Sequence, residues 1–132
     1  MMMFKYNFDV KGYELDSFGH VNNSVYLNYL EQARWEIMRE LGLYEYFKKT
    51  GNFLIVVELN IKYIKELCLF DKAVVDTSFK REGFFLVFKQ NIRDESGEKI
   101  SKAVVKCLFV DKSRNPLDVP DVLTEFFSDD KA

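Results

Sequence analysis

The feature that most restricts the fold of this chain is one long stretch, residues 24–41, that contains neither glycine nor proline. Three good N-capping residues, Asn22, Asn23 and Ser24, stand at its start, and Gly42 follows its end. Inside it, apolar residues recur every three or four positions: Tyr26, Leu30, Ala33, Ile37 and Leu41, with Tyr29 at the margin. The opposite, polar side carries Glu31, Arg34, Trp35 and Arg39. This spacing predicts one long amphipathic helix.

The rest of the chain alternates apolar and polar residues, as half-buried strands do. One such stretch, residues 4–10, precedes the helix, and four follow it at residues 57–63, 75–80, 84–93 and 100–111. A short helical turn is expected at residues 43–49, and Pro116 and Pro120 close the strand-forming region. We therefore predict an α+β fold in which an antiparallel sheet wraps around one helix, as a single domain over residues 1–132, a length that supplies one core.

Charge and composition narrow the class of protein. Nineteen basic against 21 acidic side chains leave a formal charge of −2, so we expect no nucleic-acid or membrane partner. No run of 18 apolar residues and no signal-like N-terminus occurs, and Cys68 and Cys107 are interpreted as core thiols. These features favour a cytoplasmic protein. Aromatic residues make up 16% of the chain, which favours a homo-oligomer, although an aromatic-rich monomeric core is the alternative.

Several hydrolytic chemistries are poorly supported. His20 is the one imidazole of the chain, and no Gly-x-Ser-x-Gly motif is present for a serine nucleophile. A catalytic zinc needs three protein ligands, which would have to come from scattered carboxylates and thiols. We therefore expect neither a metal nor a redox cofactor.

The loop before the helix is the best candidate site. It places Asp16 and His20 just ahead of the helix N-terminus, where unpaired amides and the positive end of the helix dipole favour developing negative charge. Attack on a thioester carbonyl needs such an oxyanion site together with a carboxylate. The alternative is purely structural: Asp16 hydrogen-bonds loop amides, while His20 and the asparagines cap the helix.

This segment also carries a specific resemblance. It reads Asp16-x-x-Gly19-His20-Val21-Asn22-Asn23-x-x-Tyr26-Leu27-x-Tyr29-x-Glu31-x-Ala33-Arg34. It resembles the motif of the 4-hydroxybenzoyl-CoA thioesterase-like family of hot-dog-fold acyl-CoA thioesterases. The chain departs from that family's pattern at Glu66, where proline is usual, and at Phe70, where glycine is usual.

The resemblance implies roles for the loop residues. Asp16 matches the family's catalytic aspartate, acting as a nucleophile or as a general base. The backbone N–H of Asn23 would polarise the carbonyl, and Gly19 would allow a close approach of the substrate. His20, Asn22 and the Asn23 side chain would shape the site.

The resemblance also implies partners. Coenzyme A would enter as part of the substrate, and a homodimer or homotetramer would form the pocket between subunits. Phe18, Tyr26 and Tyr63 are candidate lining residues, with burial in the core as the alternative for the aromatic pair near the helix start. Phe53 and Leu54, with Tyr63, would set the depth of the acyl pocket. Lys80, Arg81 and Lys89 are candidates for the phosphates of coenzyme A, although such residues are usually solvated surface.

Two other functions fit the same residues. The acyl group could be presented on acyl carrier protein, or the loop could hold an acyl-CoA without cleaving it.

Overall fold

The computed structural model describes residues 2–131. The strands are β1 (Phe4–Asp9), β2 (Phe53–Tyr63), β3 (Lys72–Glu82), β4 (Phe85–Asp94), β5 (Lys99–Val110) and β6 (Pro116–Leu117). The helices are α1 (Asn23–Glu40) and α2 (Leu43–Thr50), with 3₁₀ segments at Gly12–Glu14 and Asp121–Lys131. Within residues 2–131, no helix is long and apolar enough to cross a membrane.

The five long strands form one antiparallel sheet in the order β1-β3-β4-β5-β2, and β6 pairs with the end of β5. Strands β1 and β2 are therefore its edges. Because side chains alternate between the two faces of a strand, one face of the sheet is apolar and lies against α1. The buried residues of that face include Val75, Phe79, Leu86, Phe88, Ile92, Val105 and Phe109.

Helix α1 begins where its capping residue predicts. The Asn22 side chain accepts a hydrogen bond from the Ser24 amide at 3.0 Å, which satisfies one of the unpaired donors of the first turn. The predicted apolar stripe is buried from Tyr26 to Ile37, whereas Leu41 is the C-cap and lies outside the helix. Gly42 follows with φ of 82°, in the left-handed region that ends helices.

The position of Arg34 differs from the sequence prediction. The sequence pattern puts Arg34 on the polar side of the helix, yet only 6% of it is exposed. Its Nη1 donates to Gln90 Oε1 on β4 at 2.9 Å. The curved sheet covers a wider arc of the helix than the apolar stripe marks, and a polar residue on the sheet makes this burial tolerable.

Three further expectations differ from the structure. Strand β2 begins at Phe53 instead of residue 57, because an irregularity between Val56 and Glu58 breaks its alternation. Cys68 is exposed, and only Cys107 is a core thiol, with burial raising its pKa to about 11. Pro116 does not close the sheet-forming region but belongs to β6.

The backbone at Phe70 shows how the chain accommodates a residue where the family pattern has glycine. Its φ is 67°, so it occupies the left-handed conformation that the usual glycine would adopt without strain. The chain therefore keeps the turn before β3 despite the replacement, at the cost of backbone strain, with a side chain that is 78% exposed.

Candidate active site

The loop between β1 and α1 is closed by its own backbone. Leu15 and Val21 form an antiparallel bridge, and the Asp16 amide donates to the carbonyl of His20 at 2.7 Å. Gly19 has φ of 82°, a conformation that glycine adopts without steric cost. The result is a tight turn that holds Asp16 and His20 at its two ends.

The Asp16 carboxylate is positioned by this turn. Its Oδ1 accepts hydrogen bonds from the amides of Phe18, at 2.9 Å, and His20, at 3.3 Å. No hydrogen bond to Oδ2 is formed by any residue in the described part of the chain. The purely structural role considered for Asp16 therefore accounts for one of its two oxygens. Oδ1 organises the loop, and Oδ2 is available for chemistry.

The first helical residue, Asn23, provides the complementary group. Asn22 directs its side chain to Ser24, and no group in the described part of the chain accepts a hydrogen bond from the Asn23 amide. The Asn23 carbonyl accepts from the Tyr63 hydroxyl at 2.9 Å, which ties the helix start to the end of β2. This free amide lies at the positive end of an 18-residue helix.

Asp16 and Asn23 line the same cleft, of about 250 Å³. Its other lining residues are His20, Val21, Tyr26, Tyr63, Ile64, Lys65 and Glu66. A residue with a carboxylate, one with an imidazole and the first residue of the helix therefore line one space, a set that suits a reaction in which negative charge develops on a carbonyl oxygen.

Two tyrosines form the inner wall of this cleft. Tyr26 is 3% exposed, and its ring meets that of Tyr63 edge to face at 5.2 Å between centroids. The Leu67 amide donates to the Tyr26 hydroxyl at 3.1 Å. Burial raises the pKa of Tyr26, so this phenol stays neutral at pH 7 and serves as packing.

His20 and Glu66 stand at the rim. His20 Nε2 lies 4.0 Å from Glu66 Oε1, and both side chains are about half exposed. The backbone of His20 bridges to Cys68, which brings the connection between β2 and β3 against the loop. Among the residues described, no three His, Cys, Asp or Glu side chains come close enough to hold a metal ion.

The remaining candidates lie outside the cleft. Phe18 is 83% exposed and does not line it, and Gly19 and Asn22 act on the shape of the loop and the helix start. Phe53 and Leu54 line a separate, mainly apolar cleft of about 130 Å³ with Trp35, Met38 and Phe47, and Glu31 and Arg34 also contribute to its lining.

The sequence interpretation missed the cleft residues after β2, namely Ile64, Lys65 and Glu66. Its one hint was the departure from the family pattern at Glu66.

Comparison with known proteins decides the family. The model of the thioesterase-like superfamily matches residues 10–127. The chain belongs to this superfamily. Membership confirms the hot-dog fold and the class of thioester hydrolases predicted from the loop motif.

The matches to individual relatives cover most of this chain, which spans 64% of the length of the first of them. It is 34% identical over 123 residues to the chloroplastic acyl-acyl carrier protein thioesterase ATL2 of Arabidopsis thaliana, covering 89% of this chain and 64% of that protein. It is 29% identical over 119 residues to the long-chain acyl-CoA thioesterase FadM of Escherichia coli, covering 88% and 90%. The crystal structure of YbaW, a probable thioesterase of Escherichia coli, superposes with a TM-score of 0.83 at 27% identity over 92% and 94% of the two chains.

Proposed function

We propose that this thioesterase hydrolyses acyl-CoA to the free acid and coenzyme A, with Asp16 as the catalytic carboxylate. The observation that carries the proposal is that Asp16, whose Oδ2 has no hydrogen-bond partner among the described residues, lines the same cleft as Asn23, the first residue of α1. The similarity to FadM, which is named for acyl-CoA hydrolysis, supports the choice of carrier.

In the proposed reaction the carbonyl oxygen of the thioester accepts a hydrogen bond from the Asn23 amide. Asp16 then acts in one of two ways. As a general base, it removes a proton from water, and the water oxygen adds to the carbonyl carbon. Collapse of the tetrahedral intermediate then breaks the carbon–sulfur bond. The departing thiolate takes up the proton from Asp16. As a nucleophile, its carboxylate displaces the thiolate and forms an anhydride, which water then hydrolyses. In both, a donor at the oxyanion contributes about 10²–10³ in rate.

A second copy of the chain completes the site in this proposal. Strand β2 is a sheet edge that carries Val56 and Val57, 47% and 45% exposed, so pairing it with its copy would cover apolar surface and unpaired backbone. Antiparallel pairing places the Tyr63 end of one strand beside the Phe53 end of the other. The apolar cleft at Phe53 and Leu54 would then lie next to the Asp16 cleft of the partner and receive the acyl chain.

We expect light scattering at assay concentrations to give twice the 15.6 kDa mass of one chain, or four times if two dimers join. A mass of one chain in an active sample would contradict the shared site.

The cytoplasmic location expected from the sequence stays a prediction.

Acyl carrier protein is the rival carrier, favoured by the similarity to ATL2. Steady-state rates with one acyl group on coenzyme A and on acyl carrier protein decide between them, and we expect the larger kcat/KM with coenzyme A. The reverse order would assign the second carrier. Stoichiometric binding of acyl-CoA without release of thiol would instead identify a non-catalytic binding module.

A further inference from the structure

The face of the sheet that points away from α1 carries a group of three lysines, Lys62 on β2, Lys89 on β4 and Lys102 on β5, which we call the lysine cluster. The register pairs Lys62 directly with Lys102, and pairs Lys89 with Val104, two residues along the same strand as Lys102. The three side chains are exposed. With Asn60, Asn91, Ala103 and Val104 they line a depression of about 280 Å³.

The lysine cluster lacks counter-charges. Two other lysines on this face lie against carboxylates: Lys5 is 2.7 Å from Asp76, and Lys80 is 3.1 Å from Glu82. No carboxylate of the described residues lies within 4.0 Å of the three cluster ammonium groups. Like charges directly opposite on neighbouring strands destabilise a sheet, and a bound anion would offset the repulsion within the Lys62–Lys102 pair. This concentration of positive charge stands in a chain whose net charge is −2.

The floor of the depression adds specific chemistry. Val104, which is 49% exposed, supplies an apolar platform in its lining. Asn91 Oδ1 is buried and has no hydrogen-bond partner among the described residues, so it is an acceptor that a ligand could satisfy. Phosphates suit the ammonium groups, and a planar base with N–H donors suits the platform and the amide oxygen. Together these groups are chemically complementary to a phosphorylated nucleotide.

The depression adjoins the candidate active site. Lys62 is the neighbour of Tyr63, whose hydroxyl bonds Asn23 on the opposite face of the same strand end. The two sites therefore lie on either side of the end of β2. Resting on the proposed function, we infer that the lysine cluster binds the 3′-phospho-ADP end of the acyl-CoA substrate, while its pantetheine arm passes round that strand end towards Asp16.

The structure also sorts the basic residues that the sequence brought forward. Arg81 Nη2 lies 2.7 Å from Asp118, and Lys80 is paired with Glu82. Both are neutralised within the chain. Of those three candidates, only Lys89 belongs to the cluster.

The test is the double substitution Lys62→Ala/Lys102→Ala, assayed with one acyl group on coenzyme A and on pantetheine, which lacks the phosphates. We expect kcat/KM for acyl-CoA to fall roughly tenfold, with a smaller fall at high salt, while kcat/KM for acyl-pantetheine is unchanged. Lys48→Ala/Lys49→Ala on α2 removes the same charge away from the cluster and should leave both values unchanged. Melting temperatures of the two variants establish that both are folded.

A binding measurement keeps this inference separate from catalysis. Calorimetric titration with adenosine 3′,5′-bisphosphate should show binding to the wild type and to the Lys48/Lys49 variant, and weaker binding to the cluster variant. Failure of wild type to hydrolyse either thioester would remove the proposed function, and the titration would still test the cluster. An equal loss on both thioesters, an unchanged kcat/KM for acyl-CoA, or no binding of the nucleotide to the wild type would overturn the inference.

Discussion

Replacement of Asp16 by asparagine is expected to lower kcat for thioester hydrolysis by about 10²- to 10⁴-fold, the range that a positioned acid–base group contributes. Asparagine keeps an oxygen for the amides of Phe18 and His20, so the loop should retain its shape while losing the charge. Thiol release from acyl-CoA gives the rate, and thermal unfolding monitors the fold. We expect the melting temperature to change little.

The chain offers a close control for this change. Asp111 Oδ1 accepts hydrogen bonds from the amides of Ser113 and Asn115, both at 2.9 Å, the same spacing along the chain as in the Asp16 loop. It lies outside the cleft, so Asp111→Asn should leave kcat unchanged. Activity in the Asp16 variant that matched the Asp111 variant would reduce Asp16 to a loop-forming residue.

The control has its own pH dependence. Hydrogen bonds from Asn115, chiefly the one from its backbone N–H, hold the pKa of the Asp111 carboxyl below its usual value. A depressed carboxylate pKa contributes stability above the pKa of the unfolded chain, and this contribution is lost as pH falls through the folded value. The small destabilisation caused by Asp111→Asn should therefore be present at neutral pH and vanish in acid.

The largest loss of stability is expected from Gln90→Leu. Gln90 is fully buried; it accepts from Arg34 Nη1 at 2.9 Å and donates to the Leu30 carbonyl at 3.0 Å and the Thr77 hydroxyl at 3.1 Å. Leucine fills a similar volume but leaves the Arg34 guanidinium without this acceptor. Burial already lowers the pKa of Arg34, a sign that its charge is poorly solvated. We expect a loss of about 2–4 kcal/mol in the free energy of unfolding, measured in urea.

Thr77→Val is the matched change, because it removes one partner of Gln90 and keeps the bond to Arg34. It should cost about 1 kcal/mol. If both variants lost the same amount, the buried charge of Arg34 would not depend on Gln90.

Local patterns predicted most of the elements. Asn22 and Gly42 bracket α1 because capping and left-handed glycine conformations act within a few residues. Arg34 was misplaced because its burial depends on Gln90, which lies 56 residues away in the chain. The start of β2 was missed because the irregularity at Val56 hides its alternation.

The candidate site divides in the same way. Asp16, His20 and Asn23 lie within one loop and helix start, so a single motif marked them. No local pattern links Tyr63 to the loop, because its hydrogen bond to Asn23 spans 40 residues, so only the family resemblance pointed to it. Of the lysine cluster, the sequence pointed only to Lys89, because Lys62, Lys89 and Lys102 come together only through the pairing of three strands.

The sequence by itself determined which segments become helix or strand and where a carboxylate precedes a helix N-terminus, because capping, turns and periodicity are interactions between near neighbours. Only the tertiary structure decided which oxygen of Asp16 remains free, which arginine is buried and which lysines gather on one face. Those outcomes depend on strand register and on the curvature of the sheet around α1, which bring together residues that no short-range pattern connects.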